Sequence, residues 1–129
     1  MDDFSWFIGI AEGEACFGYN PKKNEPEFTV SMCDEDIVER LGKMLDHHYR
    51  TYQPVGVSVS GGKYKIQHRI QIRGRKAIKI MEKVLPYMGK RRQEKITEIL
   101  EAYTPKTTYK TEGYIPKPKK PINIPLFAE

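Results

Sequence analysis

The sequence predicts an α+β domain with the element order αββαββαα. Three observations carry this reading. Apolar residues recur at helical spacing in four stretches, apolar and polar residues alternate in the segments between them, and turn-forming residues separate the members of each strand pair.

Asp2 or Asp3 can cap a first helix running to about Glu14, with Trp6, Phe7, Ile10 and Ala11 as its apolar stripe. Residues 15–20 (ACFGYN) and 27–33 (EFTVSMC) form two short strands around the turn PKKNEP. In the second, Phe28, Val30 and Met32 alternate with Thr29, Ser31 and Cys33. The acids of Asp34-Glu35-Asp36 open a second helix, where the macrodipole favours them, and its core face is Ile37, Leu41 and Leu45. Residues 50–60 return to strand character through Val55, Val57 and Val59. Ser60-Gly61-Gly62 turns the chain, and 63–73 form the fourth strand. Gly74 ends it, and a helix follows with Ile78, Met81 and Leu85. Pro86 and Gly89 interrupt the pattern before a last helix through Ile96, Ile99, Leu100 and Tyr103. The division is a folded domain over 1–103 and a Pro/Lys-rich tail over 104–129. The tail holds five of the nine prolines and ends on the apolar INIPLF, which is suited to docking on the fold.

With 129 residues and 39 % apolar composition, the chain fits one domain with a modest core. Its apolar runs are too short to span a membrane. The start MDDF lacks the basic and apolar stretches of a signal peptide and the arginines of a transit peptide. An intracellular protein is expected, in the cytoplasm or an organellar matrix. Cys16 and Cys33 make neither a disulfide framework nor a CxxC metal site and read as reduced, buried thiols. The net charge of +5 points mildly toward a polyanionic partner.

The arrangement of that charge is more informative. In KYKIQHRIQIR the odd positions are Lys63, Lys65, Gln67, Arg69, Gln71 and Arg73, while the even ones are apolar apart from His68. One strand face is thus wholly basic or amide, without an acid. Arg and Lys donate to guanine, and Gln pairs with adenine. Eleven residues at about 3.3 Å each span roughly 36 Å, close to one turn of B-DNA. An ordinary solvated face would mix both signs of charge and include Glu, Ser and Thr. Thr29, Ser31 and Ser58 would share this face, making double-stranded DNA the expected partner.

In the first helix Gly9 and Gly13 lie four apart on one face, each costing about 1 kcal/mol relative to Ala. Such a bare face suits close approach of another helix, either within the chain or from a second copy as a two-fold homodimer. In a dimer, two copies of Glu14 at the helix C-terminus would meet. Paired carboxylates beside a negative helix end favour a cation, and hard oxygen ligands suit Mg²⁺ or a similar divalent ion such as Mn²⁺. Alternatively, Glu12 and Glu14 are an exposed helix end. His47 and His48, read as adjacent residues on a helix end, would point apart and so not share a metal.

The segment FIGIAEGEA (residues 7–15), flanked by Trp6 and Phe17, resembles the motif of the LAGLIDADG homing endonucleases in their single-motif, homodimeric form. The resemblance covers roughly residues 4–103. It implies an antiparallel four-stranded DNA-binding saddle and metal-dependent cleavage of a long, pseudo-palindromic DNA site across the minor groove, leaving short 3′ overhangs. Glu14 falls on the motif's metal-binding catalytic acid, and the Gly13 carbonyl falls where the family also holds metal. LPYMGKRRQEKI is similar to the stretch carrying the family's phosphate-contacting lysine, with Lys90 the match and Arg91 its neighbour. Asp34 falls near a position whose polar side chain holds active-site water. The sequence departs from the motif at Ala15, which replaces the closing glycine, and at Glu12 and Glu14, which replace Asp. The same family includes RNA maturases that bind intron RNA and DNA-binding regulators that do not cut, and these remain alternatives. A basic adaptor for acidic proteins is a more distant one.

Overall fold

The computed structural model describes residues 2–53, 65–103 and 122–127. The elements are α1 (Asp3–Glu14), β1 (Ala15–Asn20), β2 (Glu25–Met32), α2 (Glu35–Leu45), β3 (Tyr49–Tyr52), β4 (Gln67–Arg73), α3 (Arg75–Val84) and α4 (Lys90–Ala102). A 3-10 turn at Leu85–Tyr87 joins α3 to α4, and another at Pro125–Phe127 closes the chain. The protein is α+β, and its four strands form one antiparallel sheet in the order β1-β2-β4-β3.

Alternation along the strands separates two faces. Phe28, Val30, Ile70 and Ile72 point inward and are fully buried. They meet Phe7 and Ala11 of α1, Val38, Leu41 and Leu45 of α2, and Ile80, Met81 and Val84 of α3 in one apolar cluster. Each large side chain in it contributes about 1.5–3 kcal/mol through burial. The helices therefore cover one face of the sheet, and among the described residues the other is open.

Local chemistry explains the boundaries. Asp2 caps α1, its Oδ1 accepting from Ser5 N at 2.7 Å. The β1–β2 turn is tighter than PKKNEP suggests, because Glu25 and Pro26 already belong to β2, opposite Asn20 and Tyr19. Pro26 is tolerated there. Its carbonyl accepts from Gly74 N, and the missing N–H faces a Gly74 carbonyl already taken by Ile78 N. Gly74 has φ +76°, a conformation that glycine adopts without a Cβ penalty, and it turns β4 directly into α3.

Several expectations need correction. Val38, rather than half-buried Ile37, is the first fully buried side chain of α2. Leu85 lies in the 3-10 turn beyond α3. The fourth strand starts at Gln67: Lys65 and Ile66 precede the ladder, and Ile66 is half exposed. The strand's first pair is Gln67 with Tyr52 of β3, and on the β2 side the ladder ends at Met32 with His68. Ser58, Lys63, Val55, Val57, Val59 and the Ser60–Gly62 turn lie outside the described residues. Cys16 and Cys33 are exposed, not buried; Cys16 pairs with Thr29, which points outward.

The chain's end does dock. Ile124 is buried, and the Phe127 ring lies 6.3 Å from Phe4 and 6.2 Å from Phe7, over the outer side of the helical layer. No helix among the described residues is long and apolar enough to cross a membrane.

Candidate nucleic-acid interface

The open sheet face is built in cross-strand rows. Glu27 pairs with Arg73, Thr29 with Gln71, and Ser31 with Arg69, which in turn faces Arg50 of β3. Gln67 lies opposite Tyr52. Of the residues expected here, Thr29, Ser31, Gln67, Arg69, Gln71 and Arg73 come together on one surface. Lys65 lies just outside the strand. The four β4 positions cover seven residues, about 23 Å, rather than a full turn of DNA.

The face is not free of acids, as β4 alone suggested. Glu27 Oε1 accepts from Gln71 Nε2 at 2.6 Å and from Thr29 Oγ1 at 2.8 Å. Its Oε2 lies 3.6 Å from Arg73 Nε, and Glu25 approaches the same guanidinium at 3.6 Å. Burial alone would raise the Glu27 carboxyl, but the hydrogen bonds from Gln71 and Thr29 and the charge of Arg73 outweigh it and hold the carboxyl below its ordinary range. Glu27 thus holds three of the expected DNA contacts, while Gln67 Nε2 donates to Cys33 Sγ at 3.0 Å and Ser31 Oγ lies 3.3 Å from the Tyr52 hydroxyl. On the β3 side, Arg69 donates to the Tyr52 hydroxyl at 2.9 Å and its guanidinium lies 4.9 Å from that ring.

His47 and His48 follow α2 rather than lying on it. Asp46 adopts the left-handed conformation (φ +49°) and turns the chain, so the two rings stack with centroids 4.7 Å apart instead of diverging. His47 Nε2 donates to the Gln71 carbonyl at 2.9 Å, because a carbonyl can only accept. Burial, then the charges of Lys76 and His48, push its pKa down. His68, on the inner face, is held by Thr51 Oγ1 at 2.9 Å.

The second part of the site is the corner where α1 ends and α4 begins. Glu14 is exposed and makes no hydrogen bond or ion pair among the described residues. The Gly13 carbonyl belongs to the last helical turn, whose acceptors have no intrahelical donors. Gly9 and Gly13 are exposed, and a Cβ built on either would meet nothing within 4 Å. Their bareness serves no helix contact within the chain, which removes the intramolecular explanation among the described residues. Lys90 opens α4 next to Gly89, whose N–H donates to Glu12 Oε2 at 3.0 Å. This sets the start of α4, which carries Lys90 and Arg91, against the last turn of α1, and no bond joins either residue to Glu14. Asp34 takes the N-cap position of α2 with no side-chain cap bond. It lies two residues beyond Met32, at the end of β2 where Ala15 of β1 pairs with Val30.

Sequence reasoning missed Arg92, whose Nη1 donates to the Ala15 carbonyl at 2.6 Å and whose Nε lies 3.7 Å from Glu12. A signal was present. Two acids at a helix C-terminus, and three cations at a helix N-terminus, each oppose the local dipole and call for a partner of opposite sign. Arg50 and Tyr52 were also missed, because their strand carries no comparable run of basic residues.

A single chain gathers no cluster of three His, Cys, Asp or Glu side chains suited to a metal among the described residues. Comparison with family models, curated proteins and solved structures finds no match to this chain.

Proposed function

We propose that this protein is a site-specific DNA endonuclease of the LAGLIDADG type, acting as a homodimer on a long, pseudo-palindromic site. The observation that carries this reading is the pairing of a bare Gly9–Gly13 helix face with the partnerless Glu14 beside it. A second copy of α1 would fill that face and bring two Glu14 carboxylates and two Gly13 carbonyls to one axis. These are hard oxygen donors with no competing side-chain partner among the described residues, and such a set fits Mg²⁺ or Mn²⁺. When bound, the metal would supply water activation and stabilisation of the leaving oxygen in phosphodiester hydrolysis.

The chain's own residues have distinct tasks in this reading. Glu14 and Gly13 hold the ion. Lys90, with Arg91 beside it, attracts the phosphate nearest the cut. Asp34 orients water at the adjacent sheet end. Gln67, Arg69, Gln71 and Arg73, with Thr29 and Ser31, lie against the duplex, and Lys65 extends that contact. One acid per chain and two strands to cut argue for two chains.

A second reading is a binding module on the same fold, an RNA maturase or a DNA-binding regulator. It is favoured by the lack of any bond joining Lys90 or Asp34 to Glu14. Glu14→Gln separates the two. With Mg²⁺, the endonuclease loses cleavage of target DNA while its DNA affinity is unchanged. Cleavage by the variant at the wild-type rate would remove Glu14 from the site. Stimulated splicing of an intron RNA without DNA cutting would establish the maturase.

A further inference from the structure

We propose that a cleft at the β3 edge of the open face, between Arg50 and Arg69, is a phosphate-binding pocket. Resting on the reading of this face as a nucleic-acid interface, it takes a backbone phosphodiester rather than a base edge. The cleft has a volume of about 310 Å³ and is lined by His47, His48, Arg50, Arg69, Gln71 and Arg73. No carboxylate among the described residues lines it.

Arg50 and Arg69 are direct cross-strand partners on the same face. Like charges placed opposite each other on a sheet are destabilising, and here no acid stands between them. Arg50 makes no ion pair or hydrogen bond among the described residues. Arg69 gives one N–H to Tyr52 and keeps the rest of its fork available. Arg73, on the far wall, is held by Glu25 and Glu27. The His47 and His48 rings stack as a wall, with His47 anchored on the Gln71 carbonyl. Two guanidinium forks from adjacent strands offer N–H donors to several oxygens at once, the geometry that suits a phosphate group.

Position supports the choice of a backbone phosphate. The acids Glu25 and Glu27 lie on β2, so the open face is partly neutralised toward β2 and carries unneutralised cations at the β3 edge. Backbone contacts orient a duplex while base contacts specify it. The edge pair is thus suited to orientation, which moves Arg69 from base reading to phosphate binding.

The test uses the full chain and a duplex of random sequence, with affinity followed against salt concentration. Arg50→Gln is expected to lower the log–log salt slope by about 0.9, one phosphate contact, and to weaken binding equally on all sequences. Lys43→Gln, on the helical side, is expected to leave the slope unchanged. DNA binding with an unaltered slope in Arg50→Gln overturns the pocket and leaves the interface reading standing. A separate titration with inorganic phosphate follows the His47 and His48 ring signals by NMR. Shifts in the wild type that vanish in Arg50→Gln, in a protein that binds no DNA, support the pocket and overturn the nucleic-acid source of its phosphate. Neither DNA binding nor phosphate-dependent shifts overturns both.

Discussion

Glu12 and Arg92 cap each other's helices. The Glu12 carboxylate accepts from the Gly89 N–H at the start of α4, and Arg92 donates to the Ala15 carbonyl at the end of α1, while the two charges lie 3.7 Å apart. Each helix end carries residues of the wrong sign for its own dipole, and each is corrected by the other. This contact fixes the corner that presents Glu14 and Lys90. Arg92 is mostly buried, so Arg92→Ala should cost about 1.5–3 kcal/mol, the range for a charge-assisted hydrogen bond. Glu12→Ala loses a half-exposed cap and should cost about 0.5–2 kcal/mol. Urea unfolding at constant m-value measures both; no loss of stability in Arg92→Ala would refute the reciprocal cap.

The bare helix face makes an asymmetric prediction. A Cβ in Gly9→Ala or Gly13→Ala meets nothing within 4 Å among the described residues, so each change should stabilise the isolated fold by up to about 1 kcal/mol through helix propensity. In the proposed homodimer the same changes should shift dimer to monomer in sedimentation equilibrium. Dimerisation unchanged even in Gly9→Leu would place the subunit contact elsewhere. Gly42 gives a contrasting control. A Cβ there would lie 2.8 Å from the His47 backbone oxygen, where the chain folds back after α2, so Gly42→Ala should destabilise by about 1–3 kcal/mol.

Glu27 is a carboxylate on a surface proposed to meet phosphates. Glu27→Gln releases Arg73 from one acid and removes a negative charge, so non-specific DNA affinity should rise and become more salt-dependent. Lower affinity, measured by fluorescence anisotropy, would show that Glu27 is itself a base contact, as a carboxylate accepting from cytosine can be.

His47 makes stability depend on pH. Its folded pKa is pushed down by burial, and by Lys76 and His48, from an unfolded value of about 6.5. Below that value the unfolded chain binds more protons than the folded one. Stability should therefore fall as pH drops through about 6.5 and level off once pH is below the folded pKa. The difference in unfolding free energy between wild type and His47→Gln, followed from pH 8 to pH 5, isolates this contribution; a difference that does not change with pH contradicts it.

Much of the fold was readable because local signals agreed. Asp2 before an apolar run, the turn residues after Asn20, and Gly74 between β4 and α3 each act within a few residues. What was hidden depends on neighbours remote in sequence. The start of β4 at Gln67 depends on its pairing with Tyr52 of β3. The neutralisation of Arg73 follows from a register that sets Glu27 opposite it. The stacking of His47 on His48 follows from the left-handed Asp46. At the candidate site, Glu14 and the glycine face were visible in the motif itself. Arg92 was passed over because adjacent cations on one helix start cannot be ranked until the facing helix end is known.

The central claim is that Glu14 makes this chain a DNA-cutting enzyme. The most direct measurement is sequencing of the ends released when the full chain, with Mg²⁺, acts on a randomised duplex library. A Glu14-dependent endonuclease should give recurrent ends with short 3′ overhangs centred on one long, partly palindromic sequence, all absent with Glu14→Gln. No enriched ends with the wild-type chain, or the same ends with Glu14→Gln, would contradict it.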